Sequence, residues 1–298
     1  MATATNDKIK QLDADKQRQV RNLWMDVFYR FIRHPLGIVG GIIISILILT
    51  AIFGPLIAPF DPNEMNFDVR FAGPSLSHPL GTDEFGRDTL SRIMHGSRVS
   101  LQVGIISVSI ATVIGTLLGM IAGYGNRLVD EIIMRLMDVL FAFPAILLAI
   151  AVLAILGRGV GNAMIAIGIV YIPIFARIAR AEVLKVKQEE FVEVARALGA
   201  SDVEILYRHI FPNILAPIIV EISLSLSFAI LAEAALSFFG LGTQPPDPSW
   251  GRMLSEGRQY FRQSAWMGIF PGLAIMLSVM GFNFLGDGLR DALDPKSK

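Results

Sequence analysis

The sequence predicts an all-α, polytopic membrane protein with six transmembrane helices, and three observations carry that prediction. Hydrophobic residues make up 53% of the chain against 17% charged, with a mean hydropathy of +0.56, which is too apolar for an ordinary soluble domain. The apolar residues fall in long uncharged blocks, and a bilayer core asks for about 20 such residues per helix. One polar, helix-forming stretch, residues 189–212, lies between two of these blocks, so it must emerge on one side of the membrane and be presented there.

Taken in order, residues 1–35 are hydrophilic and then amphipathic. Val20, Leu23, Trp24, Val27, Phe28 and Phe31 recur at helical spacing among Arg18, Arg21, Arg30 and Arg33, the pattern of a basic helix lying in the headgroup layer before a span. This N-terminus lacks the short apolar core of a cleavable signal peptide. Residues 36–60 carry no charge and form the first span. A polar connection follows at 61–98, then a five-span core over 99–298: spans at 101–126, about 132–156 with Pro144 inside, onward to about 176, then 213–241 and 263–286, before a polar tail from Asp287. Pro144, Pro173, Pro217 and Pro271 each remove a backbone hydrogen bond from a different span and allow a kink or hinge.

The polar stretch reads as two short helices and a turn. Phe191, Val194, Ala195 and Leu198 recur at helical spacing, with Glu189, Glu190, Glu193 and Arg196 largely opposite. Gly199 stands where a helix end wants a residue that tolerates positive φ. Ser201 and Glu204 form a capping box for a second helix, and Asp202 adds charge at its positive end. Pro212 is expected to close the unit, because a proline disfavours helical geometry in the residue before it.

At Glu193-Val194-Ala195, Gly199 and Pro212 this stretch resembles the EAA loop of binding-protein-dependent ATP-binding cassette importers, with Val194, His209 and Phe211 departing from the pattern E-A-A-x3-G-x9-I-x-L-P. The resemblance implies a cytoplasmic coupling helix-turn-helix that docks on an ATPase. It marks Glu193, Ala195, Gly199, Ser201, Glu204, His209 and Pro212 as coupling residues. HPLGTDEFGRDTLSR (78–92), QPPDPSWGRML (244–254) and NFLGDGLRDALDPK (283–296) are similar to the dipeptide, oligopeptide and nickel branch, and within it to the C-type subunit of dipeptide, oligopeptide and glutathione importers. That likeness implies a second homologous permease, two ATPase subunits that bind ATP and Mg, and an extracytoplasmic substrate-binding protein. Di- or oligopeptides are the implied substrates, with glutathione or nickel complexes as alternatives.

Other constellations give weaker signals. Asp83, Glu84 and Asp88 match no metal-loop spacing, and Asp88 is better read as the N-cap of a short helix at 89–95. Arg135 and Asp138 suit a local ion pair. Glu233 sits in an apolar run, where a charge is costly enough to suggest function. Either it faces the translocation path or it is paired, or protonated, inside the bundle; Glu221 lies nearer the span's end. No phosphate loop, nucleophile elbow or zinc motif is present, so no catalytic, cofactor or metal site is expected in this chain.

Twenty-six basic and 26 acidic residues leave no net charge and no argument for nucleic-acid binding, and the absence of cysteine excludes disulfides and thiolate chemistry. With the N-terminus cytoplasmic, the inner segments collect 18 Lys and Arg against 8 outside, which predicts cytoplasmic termini and a cytoplasmic 189–212 segment; the resemblance implies that the membrane is a prokaryotic inner one. An ion-driven secondary transporter is the rival from another class. It would call for several intramembrane ionisable groups and repeat symmetry, and it leaves the 189–212 element unexplained.

Overall fold

The computed structural model describes Met25 and residues 27–293. Val20, Leu23 and Trp24 of the expected amphipathic helix lie outside the described residues, whereas Val27, Phe28 and Phe31 belong to helical turns ahead of α1 (Pro35–Ile57). His34 caps α1, its Nδ1 accepting the Gly37 amide at 3.0 Å. The remaining helices are α2 (Thr89–Tyr124), α3 (Arg127–Phe141), α4 (Ala145–Leu156), α5 (Val160–Val186), α6 (Glu190–Ala197), α7 (Asp202–Phe238), α8 (Trp250–Gln259) and α9 (Trp266–Leu293). Among the described residues, the one bridge of β type pairs Thr82 with Asp88.

Five of these helices, α1, α2, α5, α7 and α9, are long and apolar enough to cross a membrane. The expected third span is not one continuous helix: α3 and α4 meet at 94°, and the two together make a sixth span only as a broken one. Pro144 explains the break, because it pushes Phe143 out of helical geometry and then caps α4. Pro173, Pro217 and Pro271, by contrast, lie inside continuous helices.

Other boundaries also differ from expectation. Asp88 does cap a helix, its Oδ2 accepting the Ser91 amide at 2.8 Å, but that helix is not short: α2 runs 36 residues from Thr89. Its polar first turns are buried rather than looped, Ser91, Arg92, Ser97 and Ser100 each being at most 1% exposed. α5 continues beyond Ala176 to Val186, and α9 carries the expected polar tail as helix to Leu293.

The centre of the bundle is α2 against α5. Lipid tails supply no hydrophobic drive between helices, so close backbone approach must carry the packing. Gly115, Gly119 and Gly123, four residues apart on α2, permit it. A β-carbon on Gly115 would stand 2.6 Å from the Ile172 carbonyl oxygen, and one on Gly123 would stand 2.9 Å from Val183 Cβ. On the other side α9 packs against α1 and α7.

Hydrogen bonds sort the connections onto two ends. At one end Trp250 Nε1 of α8 donates to the Ile93 carbonyl at 3.0 Å, Arg92 Nη1 donates to Pro62 at 2.8 Å, and Gly159 N donates to Leu241 at 3.1 Å. At the other end the α2–α3 turn meets the 187–212 segment, through Lys187 Nζ donating to the Gly123 carbonyl at 2.7 Å. α1 begins, and α9 finishes, at this second end, where His34 Nε2 lies 3.1 Å from Asp291 Oδ2.

Candidate functional site

The polar segment folds as two helical arms about Gly199. α6 ends with the Gly199 amide bonded to Arg196 and the Ala200 amide to Ala195, at 3.0 and 3.1 Å. That second bond spans five residues, the pattern of a Schellman end. Gly199 has φ +87°, as its position in the sequence requires, and nothing lies within 4 Å of where its β-carbon would be. Ser201 caps the second arm through its Oγ, which accepts the Glu204 amide at 3.3 Å. Only half of the expected capping box forms, because the Glu204 carboxylate turns to Arg208 at 3.0 Å.

The faces of α6 are not those expected from spacing alone. Val192 and Ala195 are the buried pair, while Phe191, Val194 and Leu198 form an exposed apolar ridge, Leu198 at 83% exposure. Glu193 is exposed in the first turn of α6. Val203 and Tyr207 continue the exposed apolar surface onto the second arm. An exposed apolar surface on an otherwise polar segment is of the kind that partners cover.

Pro212 does not close the unit. Residues Ile205–Ile210 form a π-helical stretch and the chain runs on through Pro212 as α7. A proline removes one hydrogen bond and crowds the carbonyl of the preceding turn; the wider π turn absorbs that conflict without ending the helix. Ile205 and Ile210 anchor this stretch in the core, and half-buried His209 sits between them with its carbonyl accepting Asn213 Nδ2 at 2.6 Å.

Around the turn stands a polar network that sequence reasoning missed. The Tyr124 hydroxyl donates to Asp202 Oδ1 at 2.5 Å and accepts from Arg196 Nη2 at 3.3 Å. Arg180 forks onto Asp130 at 2.5 and 2.6 Å. The expected Arg135–Asp138 pair does not form; Asp138 instead accepts Arg177 Nη2 of α5 at 2.7 Å, since a cross-helix guanidinium offers better geometry than an i+3 neighbour. A tyrosine ending an apolar span was the available signal for Tyr124, an aromatic body with a polar tip that seeks a partner.

Glu233 lies far along α7 from this segment and is 0% exposed. Its carboxylate accepts the Ser237 hydroxyl at 2.7 Å and the Ser100 hydroxyl at 3.4 Å, with Ser249 a third hydroxyl partner. Among the described residues no Arg or Lys pairs with it. A cavity of about 240 Å³ lined by Ala149, Ile167, Tyr171, Phe228 and Ala232 is apolar and lies between α4, α5 and α7, apart from Glu233.

At the opposite end Asp83 Oδ2 accepts Arg87 Nε at 2.6 Å, and Glu84 Oε1 and Glu256 Oε2 stand 3.4 and 3.8 Å from Arg87 Nη2. Arg92, 1% exposed, approaches Asp83 and Glu256 at 3.6 and 3.9 Å. Burial pushes the Glu84 carboxyl above its ordinary range. Asp83, Glu84 and Glu256 are thus engaged with arginines, while Asp88 caps α2 and meets His78 Nδ1 at 2.9 Å.

Comparison with known proteins agrees with this architecture. Residues 115–298 match the family described as binding-protein-dependent transport system inner membrane component, and residues 22–74 match the N-terminal transmembrane domain of oligopeptide transport permease C. The chain is 51% identical to the dipeptide transport system permease protein DppC of Alkalihalophilus pseudofirmus, over 92% of this chain and 90% of that one. It is 47% identical to the glutathione transport system permease protein GsiD of Pectobacterium atrosepticum, over 95% and 94%. Among solved structures, the inward-facing MetNI methionine ABC transporter shares the fold with a TM-score of 0.57 at 18% identity, over 68% of this chain and 96% of that one. The chain therefore belongs to the binding-protein-dependent transport system inner membrane components, as a multi-pass permease subunit of an ATP-binding cassette importer rather than an enzyme.

Proposed function

We propose that the chain forms half of a translocation path with a homologous permease, and that the path carries di- or oligopeptides delivered by an extracytoplasmic binding protein. The observation that carries the substrate class is the 51% identity to a dipeptide permease across nearly the whole chain, together with the match of residues 22–74 to oligopeptide permease C. Glutathione, itself a tripeptide, is the second reading, favoured by the 47% identity to a glutathione permease.

ATP and Mg are held by two partner ATPases, since the sequence carries no phosphate loop of its own. The Gly199 segment is their docking site. Its exposed apolar ridge and its position at the same end as His34 and Asp291 support this reading. The excess of Lys and Arg, 18 against 8, supports a cytoplasmic location for that end and for both termini. Glu193, Ala195, Gly199, Ser201, Glu204, His209 and Pro212 shape the docking element. ATP-driven closure moves it as a rigid lever and tilts α5 and α7 between inward-open and outward-open packings. Glu233, enclosed by hydroxyls, holds α2, α7 and the start of α8 together rather than meeting substrate.

The test is uptake of a radiolabelled alanyl dipeptide by cells carrying the complete transporter, with unlabelled tripeptide, glutathione and a nickel chelate as competitors. Competition by peptides alone supports the peptide reading. Competition by glutathione alone replaces it with the second, and no dipeptide uptake overturns it.

A further inference from the structure

The geometry points to Tyr124 as a positioning residue that fixes the angle of the coupling turn and ties it to the α2–α3 corner. This rests on the coupling role proposed for the Gly199 segment. Arg196 belongs to the arm before Gly199 and Asp202 opens the arm after it, and the single Tyr124 hydroxyl meets both, at 3.3 and 2.5 Å. A phenol has one proton to give and lone pairs to receive with. Here the proton goes to the carboxylate and a lone pair receives the guanidinium, so one oxygen bridges the two arms.

The turn is open on one side, since nothing lies within 4 Å of the Gly199 β-position, while Ala200 beside it packs against the core that holds Val192 and Ile205. The Gly199 and Ala200 backbone bonds close the end of the first arm and the Ser201 cap opens the second, so neither crosses between the arms as the Tyr124 hydroxyl does. α5 and α7 are covalent continuations of the segment and move with it in any case. α2 and α3 are not, and they reach it through Tyr124 and through Lys187 Nζ on the Gly123 carbonyl at 2.7 Å. α2 is the helix whose glycines lock onto α5, and its other end carries Arg92 into the outer ion cluster. α2 already follows α5 through that packing, and the Tyr124 hydroxyl adds a direct link from the turn itself to this helix, which runs to the far side of the bundle.

The chain has no cysteine, so labels can be placed without removing native thiols. Spin labels at Leu128→Cys and Arg208→Cys, both exposed, report the distance between the α2–α3 corner and the second arm while leaving the Tyr124 trio and the apolar ridge intact. The protein is purified as the complete transporter and reconstituted in nanodiscs for distances and in liposomes for transport. With Tyr124 present, the 128–208 distance should be the same without nucleotide and with ATP and vanadate trapped. Tyr124→Phe should broaden that distribution and lower substrate moved per ATP by about fivefold, the factor expected from one lost hydrogen bond, with basal ATP hydrolysis unchanged. Asp202→Asn, which still accepts from the phenol, should retain most of the ratio. A distance that shifts between the two states, or a Tyr124→Phe protein with unaltered distance and ratio, overturns the tie. Cross-linking of Leu198→Cys to the ATPase is scored separately. Its absence overturns the coupling role, whereas a fixed distance that Tyr124→Phe loosens still supports the tie.

Discussion

Gly119 of α2 faces the Ala176 carbonyl of α5 so closely that a β-carbon on Gly119 would stand 2.3 Å from that oxygen and 2.7 Å from Ala179 Cβ. The obstacle is backbone, which cannot swing aside as a side chain can. Even Gly119→Ala must therefore push the helices apart, at a cost of about 1–3 kcal/mol for overpacking, and Gly119→Leu more. Thermal unfolding of purified protein in detergent should show the order wild type, Ala, Leu. Gly161→Ala, where nothing lies within 4 Å, should match wild type. Equal stability of Gly119→Leu and wild type would contradict the α2–α5 packing.

Gly199 is the opposite case, since its β-position is open and only its φ of +87° selects glycine. A side chain there costs about 1–2 kcal/mol in backbone conformation alone. Gly199→Val should lower substrate-stimulated ATP hydrolysis of the complete transporter about fivefold or more while the protein inserts and purifies normally. Gly199→Asn should do less harm, because asparagine visits this region more readily. A fully coupled Gly199→Val transporter would remove the turn from the coupling account.

The contrast between these glycines marks what the sequence could disclose. Gly199 and Ser201 were legible because a turn and a cap are local, set by residues within a few positions. Gly119 was visible only as one of three glycines four apart, and its meaning depends on a facing helix that no local pattern names. Asp138 points the same way: its neighbour Arg135 looked sufficient, yet its partner Arg177 is 39 residues on. The six apolar blocks were legible from composition. The 94° break at Pro144 was not, since Pro173, Pro217 and Pro271 read identically in sequence and are carried inside unbroken helices.

Burial raises the Glu84 carboxyl above its ordinary range, and Glu84 Oε2 has no hydrogen-bond partner. The folded chain then holds this proton more tightly than the unfolded chain. Its contribution to stability is complete below the ordinary carboxylate pKa and is lost as pH rises through the elevated value. Glu84→Gln stands in for the protonated side chain, so it should melt above wild type at neutral pH and lose that advantage in acid. Melting curves across pH 4 to 8 check the sign; a variant that gains in acid instead would show that the Arg87 pairing outweighs burial.

Leu198 offers the sharpest separation of folding from docking. It is 83% exposed and beyond the last residue of α6, so Leu198→Asp removes no buried contact, and exposed substitutions of this kind change stability by about 0.5 kcal/mol or less. In an apolar docking ridge the same carboxylate must be desolvated against the partner, and each 1.4 kcal/mol of that penalty is about tenfold in affinity. Tagged Leu198→Asp protein should therefore melt like wild type yet bring down at least about tenfold less ATPase, with Phe191→Asp and Val194→Asp behaving alike because they share the ridge. Loss confined to Leu198 would reduce the surface to a single contact. Normal recovery of ATPase from all three would mean that the exposed apolar face serves some partner other than the one that supplies the energy.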